Sequence, residues 1–308
     1  MDLNKRITDL NRLRTLHAVA KAGGVSYAAE ELGILQPSIT RQLQALEKEL
    51  GIPLFERKYR GMALTNEGSM LFEVINNFMH DLEDTLALMC ENEEEPQGQL
   101  RIVATMGVIN IWMMRYVTAF MEEYPKIKIG LIGEDRDIIG RLADCDAAIG
   151  PFIPHREDLI QKHLLSYHLK LYASPKYLDK FGYPKKLSDL DNHRLIAFYS
   201  DKPGILGNVD WILTVGCKDG KKRTPYLQVN SSIGLLQAAV NGIGIICFGV
   251  ESIDYYQEAD LVDLFPGISG HVVDYYYIYK EKYEKLKKII CFYEFLKEKI
   301  GELNIKAP

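Results

Sequence analysis

The sequence predicts an α/β protein whose N-terminal part is mainly helical. Three observations support this fold class: apolar residues recur at helical spacing over the first 90 residues, short apolar strands begin near residue 99, and those strands alternate with helical segments to the end. The length of 308 residues also exceeds what one hydrophobic core usually organises, so we expect more than one domain.

Two short helices are predicted first. Apolar residues at helical spacing run from Leu10 to Ala20, and the Gly23-Gly24 pair ends the pattern. Ser26 is a plausible N-cap for a second helix, which Gly33 ends because glycine readily adopts a positive φ. A tight turn therefore leads into the next segment.

A third helix is predicted from Gln36 onward. Its apolar face is formed by Ile39, Leu43, Leu46 and Leu50. At about 100° per residue, the opposite face carries Pro37, Arg41, Gln44 and Lys48, with Thr40 at its edge. Leu35 stands where an N-cap Ser, Thr, Asp or Asn is expected, at a cost of about 1 kcal/mol. Together with the glycine turn, the second and third helices make a helix-turn-helix.

The next elements are a two-stranded wing and a long helix. Strands Leu54 to Arg57 and Met62 to Thr65 flank a Lys-Tyr-Arg-Gly turn. The helix over residues 66–90 has a near-heptad apolar stripe, formed by Leu71, Ile75, Phe78, Leu82 and Leu86. This stripe predicts pairing with another copy of the chain, although packing within its own domain would also use it.

An acidic segment and an α/β region complete the chain. Residues 91–98 have the composition of a hinge. Beyond them, eight apolar segments read as strands: LRIVAT, IKIGLIG, DAAIGP, LKLYAS, RLIAFY, PYLQV, GIGIICF and DYYYIY. Because helical segments lie between them, the pattern favours a largely parallel sheet.

Charge is distributed unevenly along the chain. Residues 1–65 contain ten basic and seven acidic residues, net +3, whereas the remainder contains 27 basic and 35 acidic residues, net −8. This asymmetry is compatible with a small nucleic-acid-binding module joined to an acidic body, although chance surface charge would also produce it.

Other classes of protein are disfavoured by what the sequence lacks. No apolar run reaches the roughly 18 residues of a membrane span, and the first ten residues lack the apolar region of a signal peptide, so we expect a cytoplasmic protein. Five widely spaced cysteines form no CxxC pair, which indicates reduced thiols. The seven histidines form no HExxH motif, and no GxSxG or phosphate-binding loop occurs. We expect no metal, no cofactor and no enzymatic activity.

The segment from Leu13 to Gly68 resembles the DNA-binding module of LysR-type transcriptional regulators. The match consists of AAEELG, QPSITRQLQALEKELG, the LFER strand and LTxxG opening the long helix, all at the family's spacing. It continues through GQLRI, YLDKFGYPKKLSDLDNHRLI and VNSSIGLLQAAVNGIGI, which are similar to the family's effector-binding region. Leu35 departs from the family, which usually has Ser or Thr there.

The resemblance implies a domain organisation and a set of partners. The domains are a winged helix-turn-helix (1–65), a linker and dimerisation helix (66–90), a hinge (91–98) and an effector domain with a periplasmic-binding-protein-like fold (99–308). Subdomain I of this last domain covers about 99–171 and 273–308, and subdomain II about 172–272. The implied protein regulates transcription by binding double-stranded promoter DNA as a homodimer or homotetramer, and it senses a small-molecule effector. RNA polymerase is a further candidate partner.

The resemblance also implies site residues. Those that meet DNA are Ser26, Gln36, Pro37, Thr40, Arg41, Gln44, Arg57 and Arg60. Their chemistry fits, because Arg can be bidentate to guanine, Gln to adenine, and a Thr methyl can contact thymine. Those that line the effector cleft are Thr105, Met106, Glu134, Asp135, Phe198, Tyr199, Ser231, Ser232 and Phe248. The acidic pair makes a plain carboxylate effector less certain, and an effector with an amino group, or one held by Arg136, is equally open.

Two alternatives remain open from the sequence. The two-lobed region could belong to a cytoplasmic solute-binding or enzymatic protein, but the first 65 residues would then have no role. The chain could also be an adaptor that dimerises without sensing a ligand. Redox sensing is disfavoured because Cys217 and Cys247 lie thirty residues apart on different predicted elements.

Overall fold

The structure is a computed structural model that describes residues 9–58, 61–89, 95–135, 137–199, 209–217, 221–249 and 260–302. The chain forms two compact units, Met1–Asn92 and Glu93–Pro308, which we call the N-terminal and C-terminal units. None of the helices within the described residues combines the length and the apolar composition needed to span a bilayer.

Within the described residues, the N-terminal unit contains helices and a two-stranded ribbon in the predicted order. The elements are α1 (Leu10–Ala22), α2 (Val25–Leu32), α3 (Gln36–Leu50), β1 (Phe55–Lys58), β2 (Gly61–Leu64) and α4 (Asn66–Met89). The antiparallel strands form the predicted wing, each displaced by one residue from its predicted bounds. The displacement of β1 has a local cause. The Leu54 side chain is fully buried, and the backbone N–H of Leu54 donates to the Glu47 carboxylate.

The predicted turn between α2 and α3 is confirmed, but the predicted start of α2 is wrong. Gly33 ends α2 with a φ of 66°, as the sequence predicts. The helix begins at Val25 after Gly24, and no side chain caps it. Ser26 is therefore not the N-cap but an exposed residue of the first turn.

A hydrophobic core joins the helices of the N-terminal unit. The predicted apolar face of α3 is confirmed, because Ile39, Leu43 and Leu46 are buried and Leu50 packs against them. They meet Leu16 of α1 and Ala28 of α2, both of which are completely buried. Small alanine side chains let the helices approach closely where they cross.

The apolar stripe of α4 is divided between two roles. The sequence predicts that Leu71 and Ile75 face another copy of the chain, whereas the structure buries Ile75 in the core and packs Leu71 against it. The reason is that the first half of α4 lies on α1, where His17 stacks on Phe72 with ring centroids 5.5 Å apart. The apolar residues of α4 that remain exposed are Met70, Val74, Phe78, Leu82, Leu86 and Met89.

The LTxxG sequence at the start of α4 has a physical explanation. The Thr65 hydroxyl oxygen accepts a hydrogen bond from the Gly68 N–H at 3.0 Å and donates to the Pro53 carbonyl at 2.9 Å. The helix thereby comes so close to the preceding chain that a Cβ on Gly68 would lie 2.0 Å from the Leu54 carbonyl oxygen. Only glycine fits this contact without a shift of the backbone.

The C-terminal unit is built on one mixed sheet. Its strands are β3 (Gly98–Ala104), β4 (Ile127–Gly133), β5 (Ala147–Gly150), β6 (Leu159–Ala173), β7 (Leu195–Phe198), β8 (Leu227–Val229), β9 (Ile245–Gly249), β10 (Val262–Asp263) and β11 (Val272–Lys280). The α-helices in its described residues are α5 (Met114–Glu123), α6 (Ile138–Arg141), α7 (Pro175–Phe181), α8 (Ser232–Val240) and α9 (Lys287–Glu302). All eight predicted strands are present, but the prediction of a largely parallel sheet is only half right.

Strand order explains the mixture. The order is β4-β3-β5-β11-β6-β9-β7-β8, with β10 paired to β6. Strands β3, β4 and β5 are parallel, as are β7, β8 and β9, and these form the centres of two lobes that we call lobe I and lobe II. The long strands β6 and β11 are antiparallel to their neighbours and join the lobes. The partner of β6 changes from β11 to β9 between His168 and Leu169.

Lobe I has helices on both faces of its sheet. On one face, Ile278 of β11 and Val103 of β3 pack with Ile138 of α6. On the other face, the Phe120 ring of α5 meets the Phe292 ring of α9 edge-on, with centroids 4.8 Å apart. Alternate residues of β3 and β11 thus serve opposite layers, which is the arrangement of a three-layer α/β domain.

We expect Gly68→Ala to destabilise the N-terminal unit by about 1 to 3 kcal/mol, because the added methyl group collides with the Leu54 carbonyl. Ser69→Ala, an exposed neighbour on the same turn, is the matched control and should change stability by less than about 0.5 kcal/mol. Both tryptophans, Trp112 and Trp211, lie in the C-terminal unit. When the full chain of Gly68→Ala is unfolded with denaturant, the midpoint followed by far-ultraviolet circular dichroism should therefore move to a lower denaturant concentration. The midpoint followed by tryptophan fluorescence should not move. If the midpoint followed by circular dichroism is the same for Gly68→Ala as for the wild type, the contact between Gly68 and Leu54 is contradicted.

Candidate nucleic-acid interface and effector site

The polar residues of α3 fall into two groups, and the first group is bound within the N-terminal unit. The Thr15 hydroxyl of α1 donates to the Gln42 amide oxygen at 2.6 Å. The Arg12 guanidinium of α1 pairs with Glu49. Glu47 accepts hydrogen bonds from the N–H groups that open the wing, at 2.8 and 3.1 Å. These contacts fix α3 against both α1 and the wing.

The second group faces solvent. Its members are all exposed: Gln36, Pro37, Thr40, Arg41, Gln44 and Lys48. The Thr40 hydroxyl donates to the Gln36 carbonyl at 3.2 Å, which occupies the hydroxyl within the helix. Among the described residues, Arg41 has neither an ion pair nor a hydrogen-bond partner. The predicted DNA-contacting residues of α3 therefore form one continuous exposed face.

The start of α3 is uncapped, as the sequence predicts. Leu35 is extended, its side chain is 78% exposed, and it makes no capping bond. An N-cap side chain normally accepts from the second or third N–H of the helix. Here Pro37 has no N–H, and the Ser38 N–H already donates to the Leu35 carbonyl at 2.8 Å. The missing cap therefore costs little.

The remaining predicted DNA contacts lie at the wing and α2. Arg57 is in β1, where its backbone pairs with Met62, and its side chain lies outside what the structure describes. Arg60 lies outside the described residues, as does the side chain of Lys58. Ser26 is exposed at the start of α2.

In the C-terminal unit, the predicted effector residues lie at the carboxyl ends of strands. Thr105 and Met106 follow β3, and Glu134 and Asp135 follow β4, both in lobe I. Residues from lobe II come close to them, because a Cβ on Gly107 would lie 2.7 Å from the Ser232 hydroxyl oxygen. The ends of parallel strands are where ligands bind in open α/β sheets.

Thr105 is buried and serves as a cap. Its hydroxyl oxygen accepts from the Val108 N–H at 3.3 Å, at the start of the helical segment that leads to α5. The Thr105 side chain also acts on the Tyr275 phenol of β11, whose pKa it tends to lower. Burial raises the pKa of Tyr275 to about 12, so its phenol stays neutral. Thr105 thus holds the floor of the site and presents little surface to a ligand.

Asp135 occupies the N-terminus of that helical segment. Its carboxylate accepts a hydrogen bond from the Met106 N–H at 3.0 Å. Partial burial raises the pKa of Asp135, the nearby Glu134 carboxylate raises it further, and the Met106 N–H opposes both. Because the exposed ends of helical N–H groups attract anions, the protein's own carboxylate holds a position that an anionic ligand would otherwise take.

The lobe II residues differ in accessibility. Phe198 ends β7 and is partly exposed, and Tyr199 after it is exposed. Ser231 caps α8, since its hydroxyl oxygen accepts from the Gly234 N–H at 3.1 Å, whereas Ser232 is the serine that faces Gly107. Phe248 in β9 is buried, with 8% of its surface exposed, and offers little area to a ligand.

Some residues that shape these sites are absent from the predictions. Glu47 orients the wing, and Tyr275 is buried close to Thr105. Glu47 carries no local signal because its partners are backbone groups seven and eight residues away. For Tyr275, the tyrosine-rich sequence of β11 indicates a strand but not the partner of this residue.

The described cysteines Cys145, Cys217, Cys247 and Cys291 are all free thiols. Burial raises the pKa of Cys145 to about 11 and that of Cys291 to about 12, and it raises the pKa of Cys247 further. Because the thiolate is the reactive form, these buried thiols are poorly suited to redox sensing. Cys90 lies outside the described residues.

Comparison with known families assigns both units. Residues 10–69 match the bacterial regulatory helix-turn-helix family of the lysR type, and residues 93–301 match the LysR substrate binding domain. The chain is 26% identical over 302 residues to the HTH-type transcriptional regulator CrgA of Neisseria meningitidis serogroup C, covering 96% of this chain and 98% of CrgA.

Solved structures share the same fold. The structure of CrgA, a LysR-type transcriptional regulator from Neisseria meningitidis, superposes with a TM-score of 0.58 at 24% identity, covering 96% of this chain and all of that one. Full-length CbnR in complex with its target DNA gives a TM-score of 0.60 at 21% identity, covering 95% of this chain and 99% of that one. At these identities the likeness extends to the fold.

We expect Leu35→Ser to stabilise the N-terminal unit by about 0.5 kcal/mol, the low end of the range for N-caps, because only the Ser38 N–H can donate to the new hydroxyl oxygen. Leu35→Ala is the control for loss of the exposed leucine. Denaturant unfolding followed by circular dichroism measures both. A gain of 2 kcal/mol or a loss for Leu35→Ser would show that this account of the helix start is wrong.

Proposed function

This chain belongs to the LysR-type transcriptional regulators, and we propose that it reads promoter DNA with the exposed face of α3. The observation that carries the proposal is the division of the α3 side chains. Gln42, Glu47 and Glu49 are bound within the unit, whereas the exposed side chains of Gln36, Arg41, Gln44 and Lys48 have no partner among the described residues. An α-helix with such a face fits the major groove of B-DNA.

Individual roles follow from chemistry. Arg41 is free to donate two hydrogen bonds to guanine, and Gln36 and Gln44 can pair with adenine. Since the Thr40 hydroxyl is occupied by the Gln36 carbonyl, its methyl group is the part offered to a thymine methyl. The Gln36 N–H at the start of the helix is available to a phosphate. Arg57, Arg60 and Ser26 would add contacts at the flanks.

We infer that α4 joins two copies of the chain. The exposed stripe that includes Phe78, Leu82 and Leu86 is larger than isolated surface apolar residues usually produce, and pairing would remove it from water. Two copies would place two α3 helices in successive major grooves, about 34 Å apart. Assembly of dimers into a tetramer, and contact with RNA polymerase, extend the same proposal.

The effector would bind between lobes I and II and act by binding one arrangement of the assembly more tightly than another. Asp135 and Glu134 give the mouth of this site negative charge, and Asp135 already satisfies the Met106 N–H. An effector with an amino group is therefore favoured over a plain carboxylate. Arg136, which could hold an anion instead, lies outside the described residues.

The rival proposal is a solute-binding or enzymatic protein with the same two-lobed fold. The relatives are transcriptional regulators, and the N-terminal unit with its free α3 face has no role in that alternative. We therefore infer a regulator without catalytic activity that works in the cytoplasm, where its DNA target is.

We expect the double variant Gln36→Ala with Arg41→Ala to lose at least tenfold in affinity for the upstream region of its own gene, because two base-reading side chains are removed. Fluorescence anisotropy with the labelled duplex measures this. Lys21→Ala, an exposed basic residue at the far end of α1, is the charge control and should bind within about twofold of wild type. Full affinity in the double variant would refute the assignment of the α3 face.

For the effector site, we expect benzylamine to raise the melting temperature of the wild-type protein more than benzoate does, because the mouth of the cleft is acidic. Asp135→Asn keeps an oxygen for the Met106 N–H and removes one of the two carboxylate charges, so it should reduce this preference. Asp179→Asn, an exposed carboxylate on α7, is the control and should leave it unchanged. A wild-type preference for benzoate would show that Arg136 or another group governs the charge of the ligand.

A further inference from the structure

A concave surface lies beside the exposed face of α3, in the N-terminal unit. It encloses about 430 Å³ between the first turns of α1 and one flank of α3. Asn11 and Arg14 line it from α1, and Ser38, Arg41 and Ala45 line it from α3. The DNA-reading face described above shares only Arg41 with this surface.

The charge of this surface is positive and only partly compensated. Three arginines and one aspartate among the lining residues leave a net charge of +2. Arg12 is neutralised, because it pairs with Glu49 and with Asp9. Arg14 and Arg41 are exposed, and neither has an ion pair or a hydrogen-bond partner among the residues that the structure describes. Two guanidinium groups without a partner among the described residues therefore border one cavity.

The position of the cavity matches that of a DNA strand. At 100° per residue, Ser38 and Ala45 lie about a quarter turn around α3 from Pro37 and Gln44 on the exposed face. A helix of 10 to 12 Å diameter fills a major groove about 12 Å wide, so the sugar-phosphate backbones pass along its two flanks. The flank on the α1 side is the one that carries the cavity.

We propose that this cavity receives a backbone phosphate of the bound DNA, with Arg14 of α1 as its principal ligand and Arg41 shared between phosphate and base. The inference rests on the proposed function, since it requires α3 to lie in the groove. It adds α1 to the DNA-binding surface, which the recognition motif assigns to α2, α3 and the wing. A phosphate contact of this kind is independent of base sequence.

The test uses the full-length protein with two labelled duplexes, the upstream region of its own gene and an unrelated sequence. The logarithm of the association constant falls linearly with the logarithm of the salt concentration. Loss of one phosphate contact makes this slope shallower by about 0.9, which corresponds to a loss of roughly five- to tenfold in affinity at 0.1 M salt. We expect Arg14→Gln to show this loss on both duplexes. Arg14→Lys should recover most of it, because the charge is retained. Lys21→Gln removes the same charge from the other end of α1 and should keep the wild-type slope.

The outcomes separate this inference from the proposed function. If Arg14→Gln keeps the wild-type salt slope while the Gln36 and Arg41 double variant loses affinity for its own upstream region, the phosphate site is refuted and DNA reading by α3 stands. If the wild-type protein does not distinguish the two duplexes, the proposed function itself is refuted. A lower sedimentation coefficient for Arg14→Gln would show that the cavity receives a second copy of the chain, which also overturns the inference. Circular dichroism of all variants should match wild type, as Arg14 is exposed.

Discussion

The buried face of α3 orients every other side chain of that helix. Ile39, Leu43 and Leu46 are packed against α1 and α2, and burial of each contributes about 1.5 to 3 kcal/mol. Rotating the helix by a single residue would expose these side chains and bury charged ones, which a unit of this size could not tolerate. Because the buried face is fixed, the face that carries Gln36, Arg41 and Gln44 is fixed too, and so is the flank beside Arg14.

The hydrophobic core sets the position of α3 approximately, and polar contacts define that position more closely. Glu49 and Gln42 hold α3 to α1, and Glu47 holds the first residues of the wing, so recognition helix and wing keep a defined spacing. A DNA-binding surface needs this precision, because a bidentate contact to a base requires the side chain to start from the right place. The missing N-cap of α3 does little to loosen the helix, because Pro37 has no N–H and so leaves few N–H groups for a cap to satisfy.

In the C-terminal unit the corresponding constraint is the long strand β6. It is hydrogen-bonded to β11 over its first part and to β9 over its last part, so the two lobes share one strand. The carboxyl ends of both parallel sets then face each other across Gly107 and Ser232. Within that space the Asp135 carboxylate accepts from the Met106 N–H and so places a negative charge at the start of the helical segment after β3.

The sequence by itself predicted most of the elements, the glycine turn and the uncapped start of α3. Apolar spacing predicted α1, α3, α4 and the eight strands, Gly33 predicted the turn, and Leu35 predicted an uncapped helix, because each of these signals is local. Tertiary structure alone decided that Ile75 belongs to the core, that Ser26 follows the helix start, that β6 and β11 run antiparallel, and that Asp135 meets Met106. Apart from the start of α2, these features depend on partners distant in sequence, and periodicity along one segment carries no information about them.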